Sequence, residues 1–248
     1  MIRAIDHIVI LVDDLAAASA DYAALGFTVT PGGEHTGGAT HNVLVVFADD
    51  TYLELIAFKH PAPEHQWFRH AAIGEGLIDF ALLPGAIEDD IASARERGLA
   101  IEGPTPGGRL RPDGQRVAWR TGRALTPDLP FLCSDVTPRA LRVPEGAARQ
   151  HANSVTGIAG LTVAVADLDA SAARYRALLG TYEHGLTFRL STAMIVLAGS
   201  DSGDMARERL ARRGEGPLAL TLRINIAGSA GTLDPTRAHH VPIELIVQ

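Results

Sequence analysis

The segment IDHIVILVDDLAAASADYAALGF at residues 5–27 returns as IAGLTVAVADLDASAARYRALLG at residues 158–180. Nine of the 23 aligned positions are identical, among them Asp14/Asp167, Leu15/Leu168, Tyr22/Tyr175 and Leu25/Leu178. In both copies an apolar run leads into apolar residues at helical spacing, so the chain is built from repeated modules that open with a strand and continue with a helix. The one chemically loud difference is His7, which becomes Gly160.

Residues 3–12 read as a buried strand, and Asp13 or Asp14 caps a helix that runs to Gly26. FTVTPG continues as a strand, HNVLVVFADDTYLELIAF as a hairpin turning at Asp49-Asp50, and HPAPEHQWF leaves the sheet through two prolines. This gives βαβββ over residues 3–58. The order repeats with little identity over 76–135, through GLIDFALLPG, IEDDIASARERG, AIEGP, RVAWRTG and PFLCSD. Residues 138–152, rich in Pro, Arg, Gly and Ala, read as a connector. Residues 1–148 are therefore expected to form one domain, and 149–248 a second, degenerate and truncated copy. That second half has a good module start and a polar helix, SGDMARERLARRG, but too little chain for a whole fourth module.

A chain of 248 residues can bury a substantial core without staples. Its single cysteine, Cys133, excludes an internal disulfide and a cysteine-rich zinc site and suits a reducing cytoplasmic compartment. Asp13 and Asp14 close the first apolar run well short of a secretory core or a membrane span. A net charge of −7, with 21 arginines scattered and Lys59 the lone lysine, argues against a nucleic-acid partner. No GxSxG and no GxGxxG after a strand is present, so neither a serine nucleophile nor a nucleotide cofactor is expected.

Strand alternation puts His7, Val9 and Leu11 on one face and Ile8, Ile10 and Val12 on the other. The helix takes the fully apolar face, which leaves His7 on the concave side. Tyr52, Glu54 and Ile56 share a face by the same rule, and a buried Glu54 needs a metal, an arginine or an imidazole as partner. In EHTGGATHN, Gly37-Gly38 bends the chain and His35 and His41 add imidazoles; no helix follows, so this is not a phosphate loop. A turn at Asp49-Asp50 sets Glu54 opposite Val45 and leaves His41 four residues further along, as a rim or acid–base residue. Trp119 and Arg120 lie on opposite faces of their strand, with Trp119 the favoured pocket wall. His239, His240 and Glu244 suggest a second metal site, but the loss of the first-strand His at Gly160 favours a structural reading.

On DHIVILVDDL, EHTGGATHN, TYLELIAF and RPDGQRVAWR, the chain resembles the vicinal oxygen chelate superfamily, in particular its glyoxalase-like branch. The resemblance implies an α+β fold in which repeated βαβββ modules form curved half-barrel mixed sheets with helices on the convex side. It implies a divalent metal ion (Zn, Ni, Mn, Co or Fe) held on the concave face by His7 and Glu54. Aligning the second module puts Asp79 at the position of His7, as a third ligand, and Cys133 or Ser134 near that of Glu54. The implied function is a metal-assisted isomerase, lyase or dioxygenase acting on a small vicinal-oxygen substrate. Glu54 and His41 would then move protons, and Tyr52, Asn42, Trp119 and Arg120 would touch substrate. The alternative is a metal-free small-molecule binding protein of the drug-resistance type. Members of that superfamily pair their modules within one chain or across a homodimer.

Overall fold

A computed structural model describes the chain except residues 182, 183, 227–229 and 248. Strand β1 (Ala4–Leu11) is followed by helix α1 (Leu15–Ala24), β2 (Thr30–His35), β3 (Thr40–Val46) and β4 (Tyr52–Phe58). The order recurs as β5 (Gly76–Leu83), α2 (Ile87–Glu96), β6 (Ile101–Leu110), β7 (Arg116–Ala124) and β8 (Phe131–Asp135). These eight strands close into a barrel in the order β1-β4-β3-β2-β6-β7-β8-β5. Two curved halves thus seal each other's edges, β1 against β5 and β2 against β6.

Alternation along the strands separates two apolar layers. Ile8, Ile10, Leu53 and Leu55 face outward and pack with Ala18 and Tyr22 of α1 in the larger core. Val9, Leu11, Ile56, Ile78, Ala81 and Phe131 face inward and fill one part of the barrel. Helix α1 begins where expected, because the Asp14 carboxylate accepts hydrogen bonds from the free amides of Ala16 (2.7 Å) and Ala17 (3.1 Å).

Two local departures from ideal strands decide what the barrel interior contains. The β3–β4 hairpin closes with the Phe47 amide donating to Thr51 O and with Asp50 left-handed at φ 69°, so its loop holds three residues rather than two. Glu54 consequently pairs with Leu44, not Val45. A one-residue slip exchanges the two faces: Thr40, Asn42 and Leu44 turn inward with Glu54, while His41 turns outward. The second departure is a bulge in β1, where Ile5 pairs with Leu82 and His7 with Ala81, leaving Asp6 unpaired in the ladder.

Residues 136–154 are more than a connector. Helix α3 (Arg139–Arg142) lies against the barrel and buries Arg142 completely enough that every polar group around it matters. The remaining elements are β9 (Val155–Ala164), α4 (Leu168–Leu179), β10 (Thr187–Leu190), β11 (Ala193–Ala198), α5 (Asp204–Arg213), β12 (Gly216–Ile224), β13 (Gly231–Thr232) and β14 (Ile243–Val247). They form a six-stranded sheet, β10-β11-β9-β12-β14-β13. Its β9 runs parallel to β11 and antiparallel to β12, as β1 does to β4 and β5. The matched tyrosines cross between the halves. Tyr22 Oη donates to the carbonyl of Ala238, and Tyr175 Oη to that of Asp128. No helix among the described residues is long and apolar enough to cross a membrane.

Candidate active site

The barrel interior opens into a cleft of about 360 Å³, and Glu54 stands on its wall, 5 % exposed. Asn42 Nδ2 donates to Glu54 Oε1 at 2.6 Å, and His35 Nε2 lies 3.3 Å from the same oxygen. His7 Nε2 lies 3.4 Å from Oε2, so each carboxylate oxygen has an imidazole beside it. Burial pushes the Glu54 pKa up, but the bond and charge of His35, the charge of His7 and the Asn42 bond outweigh it and hold the group at about 2. Glu54 is a carboxylate at neutral pH.

Each imidazole is oriented from behind. His7 Nδ1 sits 2.7 Å from Asp6 Oδ2, its ring stacks on Tyr52 with centroids 4.6 Å apart, and the edge of Phe131 closes its other side. Asp6 is fully buried; burial opposes its ionisation, yet Arg142 and His7 hold its pKa well below the usual carboxylate range. An ionised Asp6 makes Nδ1 the donor and leaves Nε2 facing Glu54 and the cleft. Arg142 donates to both Asp6 oxygens (2.7 and 3.1 Å) and to Tyr52 Oη (2.7 Å) and pairs with Asp135, and Arg139 also pairs with Asp6, at 2.8 Å from Oδ1. His35 Nδ1 is 2.9 Å from Thr40 Oγ1, and its ring meets Trp119 edge-on.

Glycines make room for this arrangement. A side chain at Gly32 would put its Cβ 2.0 Å from Asn42 Oδ1, so only glycine lets Asn42 reach Glu54. At Gly107 the obstacle would be the Trp119 indole at 2.4 Å, so the Trp119 ring takes the space a side chain there would fill as it walls the cleft.

The structure brings together His7, Glu54, Asn42, Tyr52 and Trp119 of the residues singled out in the sequence. It separates the others. His41 opens on a different groove with Asp13, Asp14 and Lys59, because of the hairpin slip. Arg120 turns away from the cleft to pair with Glu88 of α2. Asp79 does take the place of His7 in the second module, since Val9 pairs with Asp79 just as His7 pairs with Ala81. The counterpart of Glu54 is Phe131, however, because Val9 faces Glu54 as Ala81 faces Phe131; Cys133 lies two residues on and Ser134 on the other face. Cys133 is buried, and burial pushes its thiol up to about 12.

The three ligands that the resemblance implies, His7, Glu54 and Asp79, are not free together. Asp79 already accepts from Trp67 Nε1 (2.7 Å), the Phe80 amide (2.8 Å) and Arg123 (2.8 Å), and Phe131 offers no donor. Among the described residues no group of three or more His, Cys, Asp or Glu is arranged to hold an ion. The residues that sequence reasoning passed over are Asp6, His35 as a partner of Glu54, Arg109 and Arg142. The Asp-His dipeptide was the available signal, and strict alternation hid it by assigning the two side chains to opposite faces; the bulge at Asp6 brings them together.

The glyoxalase-like domain model matches residues 5–179, which include the barrel but for its first residue, Ala4. The chain belongs to the glyoxalase-like branch of the vicinal oxygen chelate superfamily. No curated protein is detectably similar to it in sequence. This glyoxalase-like protein resembles in fold a hypothetical protein from Staphylococcus aureus, with a TM-score of 0.75 at 13 % identity over 98 % of this chain and 99 % of that one. It also resembles a mutant 4-hydroxymandelate synthase from Streptomyces coelicolor, with a TM-score of 0.66 at 17 % identity over 95 % of this chain and 78 % of that one. A xylose isomerase-like TIM barrel/4-hydroxyphenylpyruvate dioxygenase fusion protein matches at a TM-score of 0.57 and 14 % identity, over 92 % of this chain and 37 % of its own.

Proposed function

We propose that the protein is an enzyme of the isomerase or lyase type that moves a proton on a small substrate bearing vicinal oxygens, with Glu54 as the base. One observation carries this reading: an ionised carboxylate is buried in the wall of an open cleft with an imidazole beside each oxygen. Burial is the largest influence on Glu54 and raises its pKa, while the imidazoles lower it. A substrate that separates an imidazole from the carboxylate therefore strengthens the base in place. Glu54 then accepts a proton from the carbon beside a carbonyl, and the charge passing to the carbonyl oxygen is met by one of the flanking imidazoles, His35 or the Asp6-backed His7. For a hydroxy ketone, returning that proton to the former carbonyl carbon, while the proton of the adjacent hydroxyl passes by way of the imidazole to the former carbonyl oxygen, completes an isomerisation; where the carbon on the other side of the deprotonated one bears a leaving group, its departure with the bonding pair completes an elimination. Asn42 fixes Oε1 so that the reacting oxygen keeps its direction.

No step is routed through a metal, because Asp79, the third ligand that the resemblance implies, is already engaged by Trp67, Phe80 and Arg123. The test is deuterium uptake from solvent by a panel of hydroxy ketones and 2-oxo and 2-hydroxy acids, followed by NMR. Glu54→Gln is expected to lose about 10²–10⁴ of the exchange rate with an unchanged circular dichroism spectrum. Equal exchange in Glu54→Gln refutes the assignment. Tight ligand binding without exchange supports the sequestration alternative, to which the aromatic walls of Trp119, Phe131 and Tyr52 are suited. Elemental analysis of tag-free protein is the separate arm: stoichiometric metal that disappears in His7→Ala and Glu54→Ala transfers the proton chemistry to a metal-assisted route.

A further inference from the structure

The cleft contains three arginines, and two of them are already neutralised. Arg142 is held by Asp6 and Asp135, and Arg123 by Asp79. Arg109 is the third. It lies on β6 directly across from His35 in the ladder and is only 4 % exposed, yet no carboxylate stands within ion-pairing distance of it among the described residues. Its protein bond is one donation, from Nη2 to the Arg142 carbonyl at 2.8 Å. Its Nε is buried without a partner, and Nη1 has none among the described residues.

A guanidinium stays charged when buried, and leaving it uncompensated is costly. Evolution removes such a charge easily by substitution with an apolar residue, so its presence in a ligand cleft asks for a counter-charge from outside. We infer that Arg109 is the anchor for an anionic group of the substrate, and that the substrate is a monoanion, of which a carboxylate is the natural form. A single free guanidinium balances one negative charge, whereas a phosphate dianion would leave a second uncompensated in the same buried place. The planar fork of Arg109 matches a carboxylate with two parallel hydrogen bonds. Burial draws the Arg109 pKa below its usual value, in line with a site that lacks its counter-ion. Because Arg109 neighbours His35, which neighbours Glu54, an anchored carboxylate places the rest of a small molecule against the acid–base pair. The inference rests on the proton-transfer reading and names its substrate class.

The experiment compares benzoate, its neutral isostere benzamide and inorganic phosphate as ligands of the full chain, by thermal shift and ligand-observed NMR at millimolar concentration. Benzoate is expected to raise Tm and benzamide and phosphate to leave it unchanged. In Arg109→Leu the benzoate effect is expected to weaken about tenfold or more in Kd. The ligand-free Tm of that variant should equal or exceed that of the wild type, since a buried unpaired charge has been removed. Arg109→Lys, which keeps charge without the fork, should bind benzoate with intermediate affinity. A fall in ligand-free Tm with undiminished benzoate binding makes Arg109 structural and overturns the inference, as does wild-type protein that ignores benzoate or prefers phosphate. These results are independent of turnover. Glu54→Gln is expected to bind benzoate while failing to exchange protons, so the anchor and the base fail separately.

Discussion

The opening strands and helices of the two halves share an order and nine of 23 aligned residues, and the residues they share differ in kind from those they do not. Asp14 and Asp167 both cap their helices with a side-chain oxygen, and Tyr22 and Tyr175 are both fully buried and bonded to a carbonyl of the opposite half. The residues of the candidate site are replaced at the corresponding positions of the second half. His7 sits across from Tyr52 and Gly160 across from Met194; Glu54 corresponds to Val196, and Asp6 to Ala159. Closure accounts for the difference. In the barrel a second set of strands covers the inner face, so a carboxylate there is desolvated and must find partners. In the open sheet the equivalent Val196 is 37 % exposed, and a carboxylate there would simply be hydrated. The buried carboxylate with its flanking imidazoles is a property of the closed barrel, and the strand–helix module alone does not provide it.

Importing residues from the second half into the first tests this contrast. The largest effect is expected for Asp6→Ala, which copies Ala159 and leaves Arg142 and Arg139 short of a counter-charge in the core. It should cost about 3–5 kcal/mol in chemical denaturation, and Asp6→Ala/Arg142→Met should recover much of that. Glu54→Val copies Val196 and should abolish at least about 10² of the activity without unfolding the protein. It should also alter the acid limb of stability. Glu54 is held at about 2 against an ordinary value of 4.5, so its contribution is complete above pH 4.5 and lost as pH falls towards 2. Tm scanned across that window should fall more steeply in the wild type than in Glu54→Val.

Smaller effects probe what the halves share. Asp14→Ala and Asp167→Ala each remove an N-cap and should each lower stability by about 1 kcal/mol. A cost in only one of them would show that the matched helices no longer do matched work. The smallest effect is expected for Val196→Glu, which restores the carboxylate to the open sheet. It should change stability by under about 0.5 kcal/mol and confer no added exchange activity, because the site faces solvent. A gain of activity would break the argument that closure makes the site.

The local half of this architecture was legible in the chain. Asp14 as a cap, the outward set Ile8 and Ile10, and the inward set His7, Val9 and Leu11 follow from period and end signals, whereas the meeting of a first-strand His with a fourth-strand Glu was implied only by the family resemblance. The reading failed wherever one residue changed the phase. The three-residue loop after Phe47 sent His41 outward and Asn42 inward, and the bulge at Asp6 put two successive side chains into one hydrogen bond.

The sequence by itself determined the strand–helix modules and their apolar faces, because those depend on spacing within a single element, while the meeting of His7 and Glu54 was implied only by the family resemblance. Only the tertiary structure decided the rest. Arg142 reaches Asp6 across 136 residues, Asp79 is taken by Trp67 and Arg123 before any ion could use it, and Arg109 is left without a carboxylate. Each of these is a matter of which charges meet once the barrel has closed, and no periodicity along the chain encodes distances between charges that come from different strands.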